Sequence, residues 1–159
     1  METVVKRKEG GTPYILAKSA LSFAQLDPKV RIGCDGIEIQ MLSELIDKET
    51  GIYKDVEDVF DLDSFNDYDI RVIHAPIISI GGMGDITLEN LCDIQDSKML
   101  DNVFKIANHF GKVHNRRTII VVHSEMYITH IQSLGDSWSR IVAYIKNMLD
   151  IYPYTELAI

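Results

Sequence analysis

Apolar residues follow two periods along this chain. Short runs rich in β-branched residues alternate with longer stretches where apolar positions recur every three or four residues. Tyr14–Ala17, opened by Pro13, predicts a first strand. Leu21 to Ile32 carries Leu21, Phe23, Ala24, Leu26, Val30 and Ile32 at loose helical spacing, interrupted by Pro28. The turn Gly33-Cys34-Asp35-Gly36 leads into Ile37–Gln40, a second strand. Met41–Ile46 predicts a short helical segment. Asp55–Asp69 sets Val56, Val59, Phe60, Leu62 and Phe65 at near-helical spacing, which predicts a helix or irregular turns under an acidic, solvated face.

Asp69–Pro76 is the third strand, closed by proline. Ile77–Gly84 is an apolar, glycine-rich loop, and Asp85–Asp96 a further connection. Lys98–Phe110 gives the clearest helix, with Leu100, Val103, Phe104, Ala107 and Phe110 on one stripe and Gly111 as its stop signal. Thr118–His123 is almost continuously β-branched, as in a parallel strand buried on both faces. Ser137–Ile151 repeats Trp138, Ile141, Val142, Ile145, Met148 and Leu149, with Ser137 as N-cap and Pro153 beyond its end. Thr155–Ile159 begins a fifth strand. Strands alternating with helices or long connections predict an α/β fold with a parallel sheet and helices packed outside it. Met1–Thr12 is a loose lead-in, and residues 13–159 form one domain.

Composition agrees with a globular domain: 159 residues, 46% hydrophobic and 25% charged. The net charge of −8 disfavours a nucleic-acid partner. The basic pair Arg116-Arg117 opens a strand and is read as solvation of the strand entry. Cys34 and Cys92 belong to no CxxC pair or zinc-spaced cluster, and a reducing, cytoplasmic compartment fits them best. The polar N-terminus has no signal-peptide core, and no apolar run is long enough to cross a membrane.

In a parallel sheet the carboxyl ends of the strands form the working face. Glu38, His74 and His123 fall at or near those ends. Imidazoles on neighbouring strands can hold one ion from two sides if a carboxylate joins them. Each histidine also has a bland reading as a hydrogen-bonded structural residue. Glu38 points either into a barrel mouth or to solvent. His109, His114 and His130 are expected in surface roles. Gly81-Gly82-Met83-Gly84-Asp85 matches no phosphate-loop pattern and is read as a flexible loop over the mouth. Ser124-Glu125 after His123 lacks the surroundings of a nucleophile elbow.

Four stretches carry a resemblance. Asp35-Gly36-Ile37-Glu38-Ile39, Val72-Ile73-His74-Ala75-Pro76, Phe110-Gly111 followed by Ile120-Val121-Val122-His123, and Leu157-Ala158-Ile159 resemble successive strands of the xylose isomerase-like barrel superfamily. That superfamily holds sugar phosphate isomerases and epimerases together with endonuclease IV-like enzymes. The resemblance implies a parallel (β/α) TIM-barrel fold, here truncated to about five of the usual eight strands. It implies a divalent metal (zinc, manganese or magnesium) near His74 and His123, with Glu38 lining the substrate pocket. The implied function is the N-terminal part of a metal-dependent sugar or sugar phosphate isomerase or epimerase that abstracts a proton next to a carbonyl. The alternatives are an endonuclease IV-like zinc phosphodiesterase, or a catalytically incomplete fragment or binding module. The chain departs from the pattern at Ser124, where the family commonly has proline, and at Ile159, after which the metal-bridging glutamate is expected. The isolated chain is therefore expected to be inactive unless complemented, and to self-associate through open sheet edges.

Overall fold

A computed structural model describes residues 15–41, 44–47, 53–75, 94–122 and 136–158, without the side chains of 94–97 and 136–138. Five strands form one sheet: β1 (Leu16–Ser19), β2 (Gly36–Gln40), β3 (Ile70–His74), β4 (Thr118–Val121) and β5 (Thr155–Ala158). Their order is β1-β2-β3-β4-β5 and every neighbouring pair is parallel. The sheet is open, not closed into a barrel. The helices are α1 (Phe23–Arg31), α2 (Val56–Val59), α3 (Ile94–Val113) and α4 (Asp136–Ile151), with a 3-10 turn at Leu62–Phe65.

Sequential order has a topological consequence. Right-handed crossovers that always step the same way put every connection on one side of the sheet. The core lies on that side: Ile37, Ile39, Ile70, Ile73, Ala75, Ile120 and Val122 join one cluster with Leu26, Phe65, Ile141 and Met148. Helix α3 supplies its centre, with Val103, Phe104, Ile106, Ala107 and Phe110 fully buried. Buried Asn102 pins the chain entering α2, accepting from Val56 N at 3.2 Å and donating to Lys54 O at 2.8 Å.

The opposite face carries no helix among the described residues. Lys18, Glu38, Val72, Ile119 and Glu156 lie in one row across it, and Gln40, His74, Val121 and Ala158 in the next. Ile119 is 38% exposed there, whereas neighbouring Ile120 is fully buried. The expectation that this strand is buried on both faces is thus corrected: the sheet is open, so alternate residues of β4 face outward.

Other elements also differ from the pattern. Strand β1 begins at Leu16, two residues later than expected. The Leu21–Ile32 stretch does form a helix, with Pro28 inside it. Of the stretch Met41–Ile46, residues 42 and 43 lie outside the described residues; residues 44 and 45 form a turn, and Ile46 makes an antiparallel bridge to Tyr53. Helix α4 starts at Asp136, so Ser137 is inside it. Helix α3 runs through Gly111 to Val113. That glycine serves a close approach, since a Cβ there would lie 2.3 Å from Tyr154 O and 2.8 Å from Arg116 O. The left-handed residue after the helix is Asn115, with φ of 49°.

Arg116 does not solvate the strand entry. Its guanidinium bonds to Asp69 and to Ile70 O at 2.9 Å, tying the start of β4 to the start of β3. Arg71 reaches the same carboxylate at 2.7 Å. Burial would raise the Asp69 pKa, but the hydrogen bonds from Arg71 and Arg116 outweigh it and hold the group below its usual value. His109 and His114 are not purely surface residues. Their Nε2 atoms meet Asn66 Oδ1 at 2.7 Å and Tyr68 O at 3.0 Å, fastening α3 to the segment before β3. Cys34 is half-buried beside the core, its Sγ 3.4 Å from Lys29 O. No helix among the described residues is long and apolar enough to cross a membrane.

Candidate functional site

The outward phase of β3 depends on one irregularity. Ile37 pairs with Ile70, but Glu38 pairs with Val72, so Arg71 is an extra residue in the ladder. Without it, simple alternation would put His74 on the same face as Ile70, inside the core. The bulge shifts the phase: Ile70, Ile73 and Ala75 stay in the core cluster, while Val72 and His74 share a face with Glu38 and Gln40. The Arg71 side chain passes over Gly36: a Cβ there would lie 2.7 Å from the Arg71 Cδ, an overlap that the flexible side chain can relieve by shifting.

His74 closes β3 at the carboxyl end of the sheet and is 8% exposed. Its Nδ1 lies 3.0 Å from Ala75 O and 3.3 Å from Gln40 Nε2. A carbonyl can only accept, so a hydrogen bond along the shorter contact needs the Nδ1–H tautomer, whereas the contact from Gln40 Nε2 needs Nδ1 to accept. That nitrogen cannot also accept from an amide NH2. The arrangement therefore calls for Gln40 to turn its Oε1 toward the ring, an exchange of two atoms nearly identical in shape. With Gln40 so turned, Nδ1–H would be held by two oxygens and the ring's lone pair would lie on Nε2. A backbone carbonyl on the far nitrogen is the usual way a metal-ligating imidazole is oriented.

Glu38 lies on the face of the sheet opposite the helices. It lies in the row behind Gln40 and His74 and pairs with Lys18 across β1–β2 at 3.1 Å. Its carboxylate is about one quarter exposed, at 24%. The sheet thus brings Glu38, Gln40 and His74 to one face. Gln40 was not among the sequence candidates. Its signal was available, since it follows Glu38 by two residues and so shares its side of the strand. His123, Ser124, Glu125, His130, Cys92 and the loop Ile77–Gly84 lie outside the described residues. Among the described residues no three His, Cys, Asp or Glu side chains converge on one point.

A groove of about 580 Å³ opens on the opposite, helix-bearing side, between α3 and residues 56–63. Its charges are internally compensated. Lys105 lies 3.4 Å from Asp101 and 3.7 Å from Glu57. Desolvation would lower the Lys105 pKa, but Asp101, Glu57 and Asp55 hold it above its usual value. Tyr152 donates to Asp101 at 2.8 Å. These contacts fasten α3 to its neighbours.

No family model, curated protein or solved structure matches the chain.

Proposed function

We propose that the carboxyl ends of β2 and β3 form part of the active-site mouth of a metal-dependent isomerase or epimerase, of (β/α)-barrel type, acting on a small sugar or sugar phosphate. The observation that carries the reading is His74. It is buried at a strand's carboxyl end, on the face opposite the helices, with Nδ1 3.0 Å from Ala75 O and 3.3 Å from Gln40 Nε2. The sequential, all-parallel strand order supports the barrel-type part, because it keeps one face clear of crossovers.

A bound zinc, manganese or magnesium ion would supply Lewis acidity, polarising substrate oxygens so that a proton next to a carbonyl becomes acidic. His74 would hold such an ion through its imidazole, and the family resemblance adds His123 as a second donor. Gln40 keeps the imidazole in one tautomer. Glu38, fixed by Lys18, lines the approach to the site. The net charge of −8 supports a small-molecule substrate over abasic DNA.

The test is calorimetric titration of the metal-stripped chain with zinc, manganese and magnesium, followed by exchange of the substrate's α-proton with deuterated water. One metal per chain is expected, with affinity at least about tenfold weaker in His74→Ala, the scale of losing a ligand or its support. Solvent deuterium entering a ketose or ketose phosphate only when metal is present would establish the chemistry. Metal binding that His74→Ala leaves unchanged, or no binding at all, refutes the reading and favours a binding module.

A further inference from the structure

On the helix-bearing side, a single imidazole joins α3 to the segment that leads into β3. His109 lines the groove between α3 and residues 56–63. Asn66 Nδ2 donates to Asp63 Oδ1 at 3.3 Å, and a carboxylate only accepts, so the Asn66 oxygen is the atom turned to the ring. Its 2.7 Å contact with His109 Nε2 therefore places the proton of the neutral ring on that nitrogen. Five residues on, His114 Nε2 meets Tyr68 O at 3.0 Å. Between these two fastenings Phe65 is buried and stacks on Phe23, with ring centroids 4.5 Å apart.

A second proton on the His109 ring is poorly compensated in this arrangement. The side chain is 22% exposed, and its ring meets that of Phe110 edge-on at 5.0 Å. Its hydrogen-bond partner across the groove is a neutral amide. The facing carboxylate, Asp63, is 3.8 Å away and 83% exposed, so water screens it. The Leu62 backbone also favours a charged ring, whereas Lys112 and His114 oppose one. Glu57, Asp61 and Lys105 line the same groove, and Lys105 pairs with Glu57 and Asp101. Burial outweighs the attractions and pushes the imidazole below its usual value.

We propose that His109 is a proton-operated latch, holding residues 62–68 against α3 while neutral and releasing them when the ring is charged. Release is a local opening, in which this segment leaves α3 while the strands stay paired. Water reaches the ring in the open form, which therefore takes up the proton more readily than the closed form. Closure is fully favoured above about pH 6.5, the usual histidine value, and weakens as pH falls from there through the lower value of the closed form. The latch lies on the face of the sheet opposite His74 and stands whether or not the metal chemistry does.

Amide hydrogen exchange read by NMR at about pH 8 and about pH 5, on either side of the histidine range, tests it. The reporters are the amides of Asn66 and Tyr68, which bond to Asp63 O at 3.2 Å and Phe65 O at 3.1 Å. The Val122 amide, bonded to Ala158 O at 3.0 Å, reports global opening. On acidification the protection of Asn66 and Tyr68 should fall about twofold or more relative to Val122. In His109→Gln, which keeps an N–H donor for Asn66 and carries no charge, that fall should be absent. Protection that does not fall in the wild-type chain, or a fall that His109→Gln retains, overturns the proposal. So does a wild-type His109 ring that titrates at or above the usual histidine value, a reading that does not depend on the variant folding.

Discussion

Replacing Gly111 with alanine should destabilise the protein, although helix propensity alone predicts the reverse. Gly111 lies inside α3, where alanine is favoured over glycine by about 1 kcal/mol. The added Cβ would stand 2.3 Å from Tyr154 O and 2.8 Å from Arg116 O. Ordinary carbon–oxygen contacts begin near ~3.3 Å, so the first overlap is roughly 1 Å. Both obstacles are main-chain atoms. Tyr154 O also accepts from Thr118 N at 2.9 Å, the bond that starts the β4–β5 ladder. Relief by moving that carbonyl strains or breaks a buried hydrogen bond, at about 1–3 kcal/mol. Relief by moving the helix disturbs Phe110 and Ala107, and overpacking of this sort costs about 1–3 kcal/mol. Either route costs about 2 kcal/mol, so after the propensity gain the net loss is about 1 kcal/mol. For a domain of this size that lowers Tm by roughly 2–4 °C. Thermal unfolding followed by circular dichroism reads it, with exposed Lys112→Ala as a control expected to change little. A Tm for Gly111→Ala equal to or above wild type refutes the close approach of α3 to the turns before β4 and β5.

Three further outcomes follow from the same contacts. Ile120→Ala should cost about 2–5 kcal/mol in urea unfolding, while Ile119→Ala, on the open face of the same strand, should cost under about 1 kcal/mol; equal costs contradict the one-sided core. Asp69→Asn should lose about 1 kcal/mol near neutral pH, a solvent-discounted figure for a partly exposed carboxylate held by Arg71 and Arg116. Because the folded pKa of Asp69 is lowered, its contribution is complete above the unfolded value of about 4 and vanishes as pH falls through the folded value. The gap between wild type and Asp69→Asn should therefore close on acidification, and a gap that widens contradicts the assignment. Asn102→Ala should cost about 1–3 kcal/mol, since it leaves Val56 N and Lys54 O without their partner; an unchanged urea midpoint would show that α3 does not pin this segment.

Much of the fold is legible in the sequence because periodicity reports burial. Strands two to five and the two long helices follow from their apolar spacing, and parallel pairing follows from the length of the connections. What escapes is set by contacts between distant residues. The β-branched run Thr118–Val122 reads as a strand covered on both faces, but one of its faces is open among the described residues. Gly111 has the sequence context of a helix stop, and only Tyr154, far along the chain, reveals its role. The bulge at Arg71 has no local mark, because alternation along Ile70–His74 is consistent with either phase. Alternation did place Gln40 on the side of Glu38, but its position beside His74 shows only once β2 and β3 pair.

The central claim is that His74 offers Nε2 to a metal while Nδ1–H is held by Ala75 O. Nitrogen NMR of the histidine rings during zinc titration tests it most directly. The account predicts that His74 starts as the Nδ1–H tautomer and that its Nε2 resonance moves on metal binding, with the response absent in His74→Ala. An Nε2–H tautomer at the outset, or a His74 ring unmoved by metal, would contradict it.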